Sequence, residues 1–291
     1  VAALAAGAGT GLLAARLFRR SKGEYFDSAG VRLHFTDEGS GEPLILLHGF
    51  AVNADLNWRL PGLTGALRRE FRVIAPDLRG HGLSGKPHDA AQYGRQMVLD
   101  VLRLMDHLGL AKAHVAGYSL GGFITLKLAA ESPERLLTAS VLGAGWERPD
   151  ENAFLDAAEE MALALESGRG IGPIAARLGG TRAKPSPLHT FWVWVMTRYL
   201  NDGRALAGVV RGTPELAVSE EDLARISVPL CVIIGSRDPM LPGAEALRDR
   251  VPQTEFTMVP GADHLQAPRR RELRAALLAF LRRHRAAGGP A

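Results

Sequence analysis

Apolar runs that do not alternate constrain this chain more than any other feature. PLILL, FRVIA, AHVAGY, LLTASVL and PLCVIIG are each nearly continuous stretches of apolar residues. A strand with one face in water would alternate apolar with polar. These runs do not, so they suit a sheet covered on both faces. Between them lie stretches with apolar residues at helical spacing, as in QMVLDVLRLMDHLGL and LGGFITLKLAAESPERL. Pro133 should end the latter helix near Ser132. VRLHFTDEG and PLILLHGF read as the first strands, FRVIAPDL follows a helical stretch around NWRLPGLTGALRRE, and TEFTMVPG closes the series. Strand, helix, strand repeated in this way implies right-handed crossovers and a mainly parallel sheet. The expected fold class is therefore α/β, a mostly parallel central sheet flanked by helices. The 291 residues are enough to bury it.

The rhythm breaks between Trp146 and about Glu215. No strand is read there, only helical stretches such as ENAFLDAAEEMALALESG and PLHTFWVWVMTRYL, separated by glycines and prolines. A helical insertion in an α/β sheet would cap the carboxyl ends of the strands, where ligands bind. The expected division is a core of residues 24–145 and 216–291, a helical cap of 146–215, and an N-terminal segment of 1–23. Trp146, Trp192 and Trp194 are candidates to line a substrate site, with Tyr199 nearby. The same aromatics would serve equally well to pack the insertion on the core.

Charge and cysteine usage narrow the function classes. The net charge is +4, with basic and acidic residues mixed through most of the chain. That argues against nucleic acid, which needs a clustered basic face. The basic excess collects at the two ends, at Arg16, Arg19, Arg20 and Lys22, and at Arg269 to Arg271 with Arg282, Arg283 and Arg285. A solvated face is the ordinary explanation. Cys231 is the single cysteine and lies in an apolar run, so it can form no intramolecular disulfide and should be inert. No CxxC, HExxH or close histidine pair suggests a metal, and none is expected. Residues 1–15 carry no charge and are rich in Ala and Gly. They are short for a membrane span and lack the basic start of a secretory signal. Two readings of residues 1–20 stand: a weak signal-anchor with its basic flank in the cytoplasm, or a loosely docked helix. The protein is otherwise expected in the cytoplasm.

The serine in Gly117-Tyr118-Ser119-Leu120-Gly121 lies at the seam between a strand and a helix. A nucleophile on such a turn needs a cramped backbone, and side chains two places before and after would collide, so glycine suits both. The turn lifts the hydroxyl clear of the sheet. It also sets the Leu120 N–H at a helix N-terminus, where developing negative charge is stabilised.

A serine hydroxyl needs a base, and the base needs an orienting acid. His264, in VPGADHLQAP just past the last strand, can reach the top of the sheet. Asp238, in IIGSRDPM after an apolar strand, is the acid expected to face it. Asp263 adjoins His264 in the chain and so points poorly at its imidazole, and Glu147 is the reserve. The resulting order, Ser119, Asp238, His264, is that of one hydrolase fold. In LLHGFAV, Gly49 would let the backbone approach and the Phe50 N–H would join that of Leu120 at an oxyanion. His48 is expected to hold this loop rather than act as a base.

With these pieces assembled, the chain resembles the α/β-hydrolase superfamily from about Glu24 to Phe280. The resemblance rests on HGF at 48–50, PDLRGHGLSGKP at 76–87, GYSLGG at 117–122, GSRDP at 235–239 and GADHLQAP at 261–268. It implies a Ser119–Asp238–His264 triad, an oxyanion hole from Phe50 and Leu120, and a helical cap over the site. Asp77 to Ser84 corresponds to a structural loop with no catalytic role. Relatives that act as dehalogenases or epoxide hydrolases carry Asp at the nucleophile position. Ser119 here sets those chemistries aside. HGF in place of HGGG resembles the type that favours esters of simple primary and secondary alcohols. The implied activity is a carboxylesterase or lipase-like serine hydrolase acting on a small-molecule ester without cofactor. The same triad would serve carbon–carbon bond or lactone hydrolysis, or cofactor-free haloperoxidase chemistry. A non-catalytic binding module would be expected to have lost a triad member.

Overall fold

The computed structural model describes residues 23–146, 158–168, 170 and 201–285. Residues 1–20, Glu147, Trp192, Trp194 and Tyr199 lie outside them. Eight strands form one sheet: β1 (Glu24–Ser28), β2 (Val31–Glu38), β3 (Glu42–Leu47), β4 (Phe71–Pro76), β5 (Ala113–Tyr118), β6 (Leu136–Leu142), β7 (Leu230–Gly235) and β8 (Thr254–Val259). Their order across the sheet is β1-β2-β4-β3-β5-β6-β7-β8. From β4 to β8 every neighbouring pair is parallel, while β1 with β2 and β2 with β4 are antiparallel.

The unalternating runs are explained by the two cores. Ile45, Leu47, Val115, Val141, Val232 and Ile234 enter one apolar cluster. It includes side chains from α2 (Arg95–His107), α3 (Leu120–Glu131) and α7 (Leu241–Arg250). Their chain neighbours Leu44, Leu46, Ala116, Cys231 and Ile233 enter the other, opposite α1 (Leu63–Leu67) and α8 (Arg271–Arg283). The strands β3, β5, β6 and β7 thus send residues into both cores. A fully buried Leu, Ile or Val contributes about 1.5–3 kcal/mol by leaving water.

Two features depart from the expected pattern. EYFDS forms β1, joined to β2 by a two-residue turn in which Ala29 and Gly30 both have positive φ. Such turns match the twist of a hairpin. The stretch around NWRLPGLTGALRRE is also no single helix. Residues Asp55–Arg59 make one π-helical turn, closed by the Leu60 N–H on the Asp55 carbonyl, and Pro61 and Gly62 (φ 82°) separate it from the five residues of α1. The wide turn brings Asn57 and Trp58 inward together.

Two further helices, α4 (Ala158–Glu166) and α5 (Gly203–Gly212), lie in the stretch read as strand-free. They share a third apolar cluster with Phe50 and Ala51. The short α6 (Glu220–Leu223) leads back toward β7. Among the described residues, no helix is long and apolar enough to cross a membrane.

The chain pairs β4 on one side of β3 and then crosses to place β5 on the other. The winding reverses there, so the carboxyl ends of β3 and β5 border the crevice at which open α/β sheets bind ligands. His48 and Gly49 follow on the end of β3, and Ser119 follows directly on that of β5.

Candidate active site

Ser119 caps α3 with φ 54° and ψ −114°, a conformation that a non-glycine residue holds only under constraint. Its N–H donates to the Leu142 carbonyl at 2.8 Å, and its carbonyl accepts from Phe123 at 3.0 Å. The flanking glycines are sterically required. A Cβ on Gly117 would lie 1.9 Å from the Gly121 carbonyl oxygen, and one on Gly121 would lie 2.2 Å from that of Leu47. The two glycines therefore make room for each other as well as for β3.

His264 meets Ser119 from a different element. Asp263 builds the turn that presents it, accepting the N–H groups of Leu265 (3.0 Å) and Gln266 (2.9 Å) on one carboxylate oxygen. Asp263 thus shapes the loop instead of orienting the ring. Asp238 does face the imidazole: its Oδ2 lies 2.8 Å from His264 Nδ1, while Oδ1 accepts the Met240 N–H at 3.0 Å. Because the carboxylate accepts, Nδ1 carries the proton. Nε2 is then free to accept from the Ser119 hydroxyl, 3.0 Å away. All three side chains are buried.

The loop after β3 supplies the remaining parts. His48 Nε2 accepts the Leu78 N–H at 2.9 Å, so Nδ1 bears the proton and donates to the Gly49 carbonyl at 2.7 Å. Burial pushes the His48 pKa down, against the raising effect of Asp77, which keeps the ring neutral. In a trans peptide the C=O and N–H point opposite ways. Fixing the Gly49 carbonyl therefore turns the Phe50 N–H the other way. Asn57 holds the same residue from its other side, accepting the Gly49 N–H at 2.9 Å. Among the described residues neither the Phe50 nor the Leu120 N–H has an acceptor. One expectation is corrected here. A Cβ on Gly49 would meet Ser119 Cβ and Asn57 Oδ1 at 3.5 Å, ordinary contact, so close approach does not demand glycine.

The loop of Asp77 to Ser84 braces this arrangement. Asp77 accepts from the Ala54 N–H (3.0 Å), the Leu83 N–H (2.9 Å) and His34 Nδ1 (3.1 Å). Burial opposes its charge, yet these bonds and His48 hold its carboxyl below the ordinary value. His81 donates from Nδ1 to the Arg79 carbonyl, and burial, with His48 beside it, drives its pKa down to about 3.

Tyr118 and Asn57 escaped the sequence reading. The Tyr118 hydroxyl donates to the His264 carbonyl, tying the residue before the serine to the loop of the histidine. Burial, then Asp238 and Asp263, raise its pKa and keep it a donor. Its signal was a polar-tipped aromatic inside the serine motif; Asn57, eight residues past Gly49, gave none. Trp146 is buried in the larger apolar cluster with its indole N–H on the Val218 carbonyl at 2.7 Å, so its ring serves packing and offers no open binding face.

The family model of the alpha/beta hydrolase fold matches residues 42–176. The chain is 31% identical over 261 residues to the dihydrolipoyllysine-residue acetyltransferase component of the acetoin cleaving system of Pseudomonas putida, which covers 84% of this chain and 64% of that protein. It is 40% identical over 119 residues to the 2-hydroxymuconate semialdehyde hydrolase of Pseudomonas sp. strain CF600, covering 40% of this chain and 41% of the other. It thus spans less than two thirds of either protein's length. A thermophilic esterase from Thermogutta terrifontis, solved with malate bound, superposes with a TM-score of 0.72 at 25% identity, covering 91% of this chain and all of that one. The reversal of winding at β3 and β5, the constrained serine that follows β5 and these matches lead to one conclusion: the chain has the alpha/beta hydrolase fold.

Proposed function

We propose that the protein is a serine hydrolase that cleaves carboxylic esters through an acyl-enzyme on Ser119. The observation that carries this reading is the hydrogen-bonded chain from Ser119 Oγ through the His264 ring to Asp238, beside two backbone N–H groups without acceptors. His264 Nε2 takes the hydroxyl proton as Oγ attacks the ester carbonyl carbon. The carbonyl electron pair moves onto its oxygen, which the Phe50 and Leu120 N–H groups receive. Collapse breaks the bond to the alcohol oxygen, and the alcohol leaves with the proton from Nε2. Water then loses a proton to His264, attacks the acyl carbon and releases the acid, restoring Ser119. Asp238 holds the imidazole tautomer and stabilises its charged form. Residues 146–215 would form the cap that shapes the acyl pocket. The esterase from Thermogutta terrifontis supports the choice of esters.

A p-nitrophenyl ester series from acetyl to palmitoyl, hydrolysed by the wild type and by Ser119→Ala, tests the reading. We expect a burst followed by turnover in the wild type only, with the best chain length sizing the pocket. Undiminished turnover by the variant would sink it. A second reading, hydrolysis of a carbon–carbon bond or a lactone on the same triad, is favoured by the stretch shared with the semialdehyde hydrolase. Silence on every ester by a folded protein would select it. We place the protein in the cytoplasm, with residues 1–20 as a membrane contact; a pool that stays wholly in the supernatant without detergent would remove that contact.

A further inference from the structure

Ala51, next to the proposed oxyanion donor Phe50, has φ 58°. A left-handed conformation is unfavourable for a residue with a Cβ and persists only where the surroundings over-determine it. Here those surroundings are the helices α4 and α5 and Asn201, two residues before α5. The Ala51 carbonyl accepts from Asn201 Nδ2 at 3.0 Å. The Ala51 methyl and the Phe50 ring pack with Ala158, Ala162, Leu165, Leu206 and Val210 of α4 and α5. Asp202 caps the N-terminus of α5, accepting the Arg204 and Ala205 N–H groups, and its other carboxylate oxygen lies 2.9 Å from His88 Nε2 on the core side. The core thus fixes Gly49 through His48 and Asn57, while the residue on the other side of Phe50 is fixed by Asn201 and the helices α4 and α5.

We propose that Asn201 is a positioning residue for the oxyanion hole: by holding the Ala51 carbonyl, two peptide planes past the one that carries the Phe50 N–H, it steadies the far side of that loop, so nucleophile reactivity depends on how the segment around residue 201 is seated. This rests on the serine-hydrolase reading above. Catalysis then requires the segment around residue 201 in place even for a substrate too small to touch the insertion.

The test uses the full chain and a fluorophosphonate, which reacts with an activated serine through the same oxyanion donors and needs no knowledge of the natural ester. The second-order rate of labelling at Ser119 is followed by mass spectrometry. It is read beside kcat and KM for p-nitrophenyl acetate. Asn201→Asp keeps the shape and removes the donor. We expect labelling and kcat to fall together by about 10- to 100-fold, the range of a displaced oxyanion donor, with KM changed less than twofold. Arg211→Gln is the control. It cuts the exposed pairs to Glu159 and Glu166 that join α4 to α5, and should leave labelling within twofold of wild type. Unchanged labelling in Asn201→Asp, or an equal loss in Arg211→Gln, would overturn the inference while the serine-hydrolase reading stands. A wild type that is not labelled at all would overturn that reading, and the inference with it.

Discussion

Two hydroxyl–imidazole–carboxylate chains run through this molecule, at opposite ends of the same sheet. At the carboxyl ends of the strands, Ser119 lies 3.0 Å from His264 Nε2 and Asp238 lies 2.8 Å from Nδ1. At the amino ends, Thr138 lies 2.9 Å from His114 Nδ1 and Glu42 lies 3.2 Å from Nε2. Distances and residue classes barely separate them. Their backbones do. His114, Thr138 and Glu42 sit on β5, β6 and β3 in ordinary extended conformation, placed by ladder register, with Thr138 wholly enclosed. Ser119 and His264 sit on turns, and Ser119 opens a helix whose first N–H has no acceptor among the described residues. A triad of side chains is therefore not what makes a candidate site. At the carboxyl ends of β3 and β5 the Phe50 and Leu120 N–H groups, without acceptors among the described residues, stand beside the hydroxyl.

Four contrasts break or sharpen this comparison. Ser119→Ala should lower kcat by roughly 10⁶-fold, as expected when the nucleophile of an interdependent triad is lost. Thr138→Val should leave ester turnover within twofold. Equal losses would mean that the lower chain takes part. Next in size, Asp238→Asn should cost about 10⁴-fold in kcat through loss of the correct tautomer, while Glu42→Gln leaves the kinetics alone.

The third contrast is in pH. Burial pushes the His114 pKa down, despite the raising effect of Glu42, as burial also does for His48 and His81. A histidine kept neutral in the fold takes up a proton on unfolding below its free value of about 6.5. Stability is then full above that pH and falls as pH drops toward the folded pKa, by up to about 1.4 kcal/mol per pH unit for each such group. For His81 the window runs from about 6.5 to about 3. Urea titrations at pH 7.5, 6 and 5 should show this acid limb, shallower in His114→Gln. Parallel curves for the two proteins would refute the assignment. The smallest effect is the fourth. Ser119→Gly should abolish turnover yet raise stability by about 1 kcal/mol, since glycine adopts φ 54° without strain. A lower urea midpoint would show that the constraint is held at no cost.

Much of the core was legible because its signals are local. Unalternating runs reported a sheet covered twice, and Pro133 marked the end of α3, which stops at Glu131. Gly117 and Gly121 announced a turn too tight for a Cβ, and the distances to Gly121 and Leu47 give the reason. Ser119, Asp238 and His264 meet as their loops suggested. What escaped was decided by distant partners. Tyr118 finds its acceptor 146 residues away. Asn57 points inward because a π turn, which no propensity announces, replaces the helix that NWRLPGLTGALRRE suggested. Trp146 looked available because nothing in its neighbourhood of the sequence reveals Val218 or the cluster around it.

The crossover that places β5 beside β3 also has a consequence in time. Phe50, Leu120 and Ser119 lie within the first half of the chain, just past the ends of the neighbouring strands β3 and β5. His264 follows Ser119 by 145 residues. At a synthesis rate of about 5–20 residues per second, the serine leaves the ribosome roughly 7–30 s before the imidazole that would arm it. On the proposed roles, a nascent chain therefore carries an inert hydroxyl until the loop of His264 follows, and the arrival of that loop is what would switch the protein on.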